Sequence, residues 1–185
     1  MNESDDDHLP EYMTPLYLAI THHDFSAARE LVEAGQSVDE MPTFDGYTVL
    51  HWAVQNGDIE AMRFVLSAGC AKSLNAFDYV QHTPLIWAAE EGRLEIARLL
   101  ISAGADVNAR NEANIGNTAI REAARAGDPR MVELLLQAGA DPTIPGWMGI
   151  DAVLEARGKL EEEPQSDVRR HVLALLEGAI RRKDA

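Results

Sequence analysis

The chain has 185 residues, 46% of them hydrophobic and 25% charged, a balance that supports one domain with a buried core and excludes disordered and collagen-like classes. Its 16 basic and 31 acidic residues leave a net charge of −15, which opposes nucleic acid and anionic membrane surfaces and makes a basic partner the natural complement. The same charge is equally readable as a solubility device that keeps the chain monomeric.

The N-terminal stretch from Met1 to His8 is acidic and lacks the basic and apolar regions of a signal peptide. No later apolar run approaches the roughly 18 residues that a membrane span needs, so a soluble, cytoplasmic chain is expected. Residues 1–11 read as an acidic tail. Cys70 has no partner for a disulfide or a zinc site and reads as a small buried apolar residue.

From residue 12 onward the chain repeats itself. Thr14-Pro15-Leu16, Thr48-Val49-Leu50, Thr83-Pro84-Leu85 and Thr118-Ala119-Ile120 are 34, 35 and 35 residues apart. Ala34-Gly35, Ala68-Gly69, Ala103-Gly104 and Ala138-Gly139 recur at the same intervals, so two independent markers keep step. In each unit the threonine is placed to cap a first helix, with proline tolerated at its first turn. A Gly-Asp or Gly-Arg turn follows at Gly57, Gly92 and Gly127. A second helix then carries the apolar spacing Ile96, Leu99, Leu100 or Met131, Leu134, Leu135 and ends at Gly104 or Gly139. The small pairs Ala88-Ala89 and Ala123-Ala124 allow neighbouring units to approach closely.

These segments resemble the ankyrin repeat family. The match is carried by Thr83-Pro84-Leu85-Ile86-Trp87-Ala88-Ala89, by Gly92 and Leu94 to Leu100, and by Ala103-Gly104-Ala105-Asp106-Val107-Asn108, with His51 at the family's histidine position. The resemblance covers residues 12–158 and implies an all-α helical solenoid of helix-loop-helix units joined by β-hairpin-like loops. It implies that His51 ties neighbouring hairpins together and that Trp52 and Trp87 occupy framework positions, a partly exposed contact being the other reading for the tryptophans. No single activity follows from the fold.

The expected units are 12–43, 44–78, 79–113 and 114–143, then a divergent C-terminal cap over 144–181 and a tail over 182–185. His23 replaces the mid-unit glycine of the first unit. The hairpin between Asn108 and Gly116 should be longer by two residues, and a second excess in Cys70–Leu74 should alter a helix exit. The link Pro142-Thr143-Ile144-Pro145 reads as short and stiff. The last unit is aligned so that Gly146 matches Gly116; its first helix should run to Arg157, followed by a polar linker over 158–166. A closing helix from Asp167 to Ile180 should carry the stripe Val168, Val172, Leu175, Leu176 and Ala179.

In the family, partners usually lie along hairpin tips and first-helix faces. The tips here are apolar for exposed loops, which singles out Phe44, Tyr47, Tyr79, Ile115 and Trp147 as contacts, with local packing of individual rings as the alternative. Asp45, Asp78, His82, Glu90, Glu91 and Arg125 complete the expected surface; its four carboxylates give the middle an acidic character, with a solvated helix end as the alternative for Glu90-Glu91.

No catalytic residue, metal site or cofactor is expected. His22-His23-Asp24 lacks a third ligand at a recognisable spacing, and no phosphate loop or nucleophile motif is present. The leading reading is therefore a monomeric protein-interaction module. A narrower version is a stoichiometric inhibitor or immunity protein that covers the basic active site of a toxin or nuclease. An adaptor joining two proteins is a further reading, whereas a small-molecule binder or enzyme lacks a convergent polar pocket.

Overall fold

The computed structural model describes residues 14–40, 46–111 and 116–183, which form ten α-helices and no strand. They come in pairs: α1 (Pro15–Thr21) with α2 (Phe25–Glu33), α3 (Val49–Asn56) with α4 (Ile59–Ser67), and α5 (Pro84–Glu90) with α6 (Leu94–Ser102). Then follow α7 (Ala119–Ala126) with α8 (Pro129–Gln137) and α9 (Ala152–Glu162) with α10 (Asp167–Lys183).

Local chemistry sets the helix starts. Thr14, Thr83 and Thr118 accept the backbone N–H of Tyr17, Ile86 and Arg121 at 3.1, 3.3 and 3.4 Å, satisfying donors that have no partner inside the helix. Asp24, Asp58 and Asp128 cap the second helices in the same way, accepting from Ala27, Ala61 and Met131 at 3.0, 2.9 and 3.1 Å. Gly104 and Gly139 follow the ends of α6 and α8 with φ of 93° and 92°, the left-handed conformation expected there.

The inner helices α3, α5, α7 and α9 pack in sequence, and α4, α6, α8 and α10 form a second, outer file. Ala53, Ala88, Ala89, Ala123, Ala124, Ala152 and Ala156 are buried where the inner helices meet, so the backbones close on one another with little side chain between them. Leu50, Leu85, Ile86 and Ile120 fill the inner layer, and Met62, Ile96, Leu100, Met131, Leu135 and Leu176 the outer one. Truncating one of these outer-layer leucines to alanine removes packing worth about 2–5 kcal/mol.

A polar ladder runs beside this core. Asp39 accepts the N–H groups of Lys72 and Ser73 at 2.9 and 2.8 Å and the Ser73 hydroxyl at 2.7 Å. Burial pushes its carboxyl pKa up, but these donors outweigh that effect and hold it below its ordinary 3.8. One unit on, Asn75 accepts from Asp106 N–H at 2.8 Å, and Asn108 accepts from Asp141 N–H at 2.8 Å. Each unit thus orders the loop of the next. The excess residues after Cys70 form a 3-10 turn, Ser73–Asn75, on the Asp39 rung. Of the longer hairpin after Asn108, residues 112–115 lie outside the described residues, and Gly116 N–H meets the Asn111 carbonyl at 2.9 Å.

The last unit departs from its expected register. Asp151, not Met148, caps α9 and accepts Leu154 N–H at 2.8 Å, so it stands where Thr118 stands, 33 residues earlier. Trp147–Gly149 is a 3-10 turn in the preceding loop, with Met148 at φ 60°. The link after Asp141 is not the short one expected: Gly146–Ile150 belongs to the loop, closed by Gly146 N–H on the Ile150 carbonyl at 3.0 Å. α9 also continues through Gly158 to Glu162, leaving only residues 163–166 as the link. α10 runs to Lys183, whose ammonium reaches Asp141 at 2.7 Å and helps carry that carboxyl down to about 2. On its stripe Val172 and Leu176 are buried, while Val168 stays exposed.

Candidate functional site

The expected site residues divide into three groups. Tyr79 and Trp147 stand out from the loops before α5 and α9, 58% and 60% exposed, and each has an apolar neighbour, Val80 and Met148, also in solvent. Glu91 is exposed at the end of α5. Phe44, Asp45 and Ile115 lie outside the described residues.

The second group is spent on the fold. Asp78 is a correction: it is 1% exposed, and one oxygen accepts the N–H groups of Val80 and His82 at 3.0 and 2.9 Å. The other accepts the Trp87 indole N–H at 2.6 Å. A buried carboxylate so engaged shapes the Tyr79 loop from beneath and is not presented to a partner. Trp87 is accordingly framework, and His82 packs edge-on against it with ring centroids 5.2 Å apart. His51 links this loop to the preceding unit. Its Nε2 is 3.0 Å from the His82 carbonyl, which can only accept, so Nε2 carries the proton and Nδ1 accepts Thr48 N–H at 3.0 Å. Burial lowers the His51 pKa and keeps the ring neutral.

Tyr47 lies between the two groups. Its hydroxyl donates to Gln55 Oε1 at 2.6 Å and its ring stacks on His51, 5.5 Å centroid to centroid, so the side chain is laid along α3. Burial raises its phenol pKa, and the charges that Tyr17, Tyr79 and Asp78 carry when ionised add to the effect.

The third group, Glu90 and Arg125, belongs to a charge network whose other members, Glu122, Asn117, Arg121 and Glu155, are not among the expected site residues. Arg125 donates through Nε to Glu122 and through Nη2 to Glu90, both at 2.7 Å. Glu122 accepts from Asn117 at 2.5 Å; Asn117 in turn meets Arg121, and Arg121 donates to Glu155 at 2.8 Å. The hydrogen bond from Arg125 to Glu122 raises the pKa of the guanidinium further. His82 Nδ1 is 3.3 Å from the other oxygen of Glu90 without hydrogen-bond alignment. The chain from Glu90 to Glu155 joins units three, four and five, and its two arginines offset most of its three carboxylates. The expected free acid at Glu90 is therefore largely neutralised by the chain's own Arg125. A signal existed in the sequence: Arg121-Glu122 occupies the columns held by His51-Trp52 and Ile86-Trp87.

Among the described residues, no group of three His, Cys, Asp or Glu is placed to hold a metal ion, and no helix is long and apolar enough to cross a membrane. Repeated helical pairs, loop tips raised on one edge and a polar ladder between units together describe a repeat scaffold. A family model for ankyrin repeats in three copies matches residues 1–78 and 74–145. The chain belongs to the ankyrin repeat family. It is similar to the crystal structure of an ankyrin repeat domain from Acinetobacter baumannii, at 32% identity and a TM-score of 0.73, over 90% of this chain and 81% of that one. A palmitoyltransferase, ZDHHC17 of Danio rerio, is 36% identical over 69 residues, which are 37% of this chain and 11% of that protein. Ankyrin repeats are generally protein–protein interaction modules, and the fold is a non-catalytic scaffold.

Proposed function

We propose that this ankyrin repeat protein binds a protein partner stoichiometrically, as a monomer and without catalysis, through its loop tips and the adjoining inner-helix faces. One observation carries the reading: large apolar side chains stand in solvent at the tips, Tyr79 and Val80 in one loop and Trp147 and Met148 in another. Asp78 and the His51 bridge brace the first loop from beneath, which keeps the ordering cost of binding low. Aromatic anchors of this kind typically lose about 2 kcal/mol or more of binding when truncated. The net charge of −15 favours a basic partner surface and speeds its approach. Inhibition of a basic enzyme by covering its active site is a narrower form of the same reading, favoured by that charge. The test is capture of a partner followed by titration of the Tyr79→Ala/Trp147→Ala double variant. Loss of affinity by about thirtyfold or more supports the reading, and unchanged affinity refutes it.

A further inference from the structure

The negative charge is unevenly spread. Residues 1–62 contain 13 acidic side chains against Arg29 alone, a balance of −12, whereas residues 63–185 contain 18 acidic and 15 basic ones, a balance of −3. In units three to five the carboxylates nearest the inner helices are matched by Arg121 and Arg125. At the first two units Asp58 and Glu60 face His23 instead of an arginine.

The junctions between units show what that difference leaves open. At the end of α3, Arg93 lays its guanidinium over Gly57 and donates to the Gln55 carbonyl at 3.3 Å. At the end of α7, Arg169 does the same over Gly127, donating to the Arg125 carbonyl at 2.8 Å. Two junctions are therefore filled by the chain's own arginines, while at the end of α5 the residue over Gly92 is Asp128. At the first junction, between α1 and α3, the corresponding residue is Asp58, and an open cleft of about 450 Å³ lies there, lined in part by His23, Trp52, Asn56, Asp58 and Glu60. Asp58 caps α4 with one oxygen and turns the other to His23 Nε2 at 2.6 Å. Glu60 is largely in solvent, with His23 Nδ1 at 3.6 Å. The lining combines an indole with two carboxylates, and it includes no lysine or arginine.

We infer that this cleft seats an arginine side chain from a basic segment of the partner, with the guanidinium against Trp52 and its N–H groups on Asp58 and Glu60. The inference rests on the proposed protein-binding function and names the chemistry of the partner. Arginine suits the cleft better than lysine because its planar cation covers an aromatic ring and presents several donors in a fork. The chain's own Arg93, at the neighbouring junction, and Arg169, at the end of α7, show that such junctions accept that group sterically.

The test uses a short glycine-spaced arginine peptide, with lysine and citrulline versions as controls, titrated into the full chain and followed by the Trp52 indole resonance and the amides of Asp58 and Glu60. The variant Asp58→Asn/Glu60→Gln keeps an oxygen to cap α4 and removes both charges. The expected result is a saturable shift confined to the cleft with the arginine peptide, weakened about tenfold in the variant. Equal binding of the citrulline or lysine peptide, shifts centred on another part of the chain, or unchanged affinity in the variant would overturn it. A captured partner that needs Tyr79 and Trp147 but ignores the Asp58→Asn/Glu60→Gln change leaves the broader function standing and removes this site. Peptide seated at Trp52 without any protein partner does the reverse.

Discussion

Replacing Arg121 by alanine should cost this protein about 3–5 kcal/mol, because it strands a buried carboxylate. The Arg121 and Glu155 side chains are 8% and 12% exposed and meet at 2.8 Å, across the boundary between the fourth and fifth units. Both are far enough from water that solvent cannot take over when one is removed. Asn117 loses its guanidinium donor at the same time. For a chain of this length the loss corresponds to a fall in Tm of about 6–20 °C if unfolding is a single transition. In a repeat protein the damage falls mainly on the adjoining interface, so hydrogen exchange should show α9 and α10 losing protection before α3 and α5. The decisive comparison is Arg121→Met/Glu155→Leu, which removes both charges and keeps most of the volume. Buried ion pairs replaced by apolar groups of similar size are often neutral or stabilising, so the double variant should recover most of the stability. A cost below about 1 kcal/mol for Arg121→Ala, or a double variant weaker than either single one, would refute the account of this network as an interlock of buried charges.

Gly46 has φ 79°, and a Cβ added there would come within 2.2 Å of the Phe77 carbonyl oxygen. Gly46→Ala should therefore destabilise by about 2 kcal/mol or more, against about 1 kcal/mol for Gly35→Ala, where φ is 96° but nothing lies within 4 Å; chemical denaturation would separate the two. His51 has a folded pKa below its ordinary 6.5, so the unfolded chain binds the extra proton. Its contribution to stability should be complete above about pH 6.5 and fall away as the pH drops below that, a slope that His51→Gln should flatten in a pH series of melts. Burial pushes the Cys70 thiol up to about 11, so labelling by iodoacetamide near neutral pH should be far slower than in the urea-unfolded chain. Binding to the captured partner should weaken in salt of about 1 M, where charges are screened beyond about 3 Å; insensitivity would remove the electrostatic part of the proposal.

Two strict spacings made the repeat readable without coordinates, because each helical pair needs the same cap, the same small residues and the same terminal glycine wherever it occurs. The caps at Thr14, Thr83 and Thr118 are local chemistry, settled within three residues. The last unit escapes this register because its cap is Asp151, and Gly146 mimics Gly116. A capping residue is interchangeable among Asp, Ser and Thr, so a motif tied to threonine loses its place.

The site was legible only in part, and the reason is again physical. Tyr79 and Trp147 could be marked as surface candidates because loops leave large rings little to bury against. Asp78 sits next to Tyr79 in the chain yet points the opposite way, since the indole of Trp87, nine residues on, draws its carboxylate inward. Glu90 and Arg125 are 35 residues apart and become a pair only when consecutive inner helices stack. Sequence alone thus determined the repeating helical unit and its caps, which depend on near neighbours. Which charges are free and which are matched, and where an open junction remains, was decided by the stacking of units that brings distant side chains within a few ångströms.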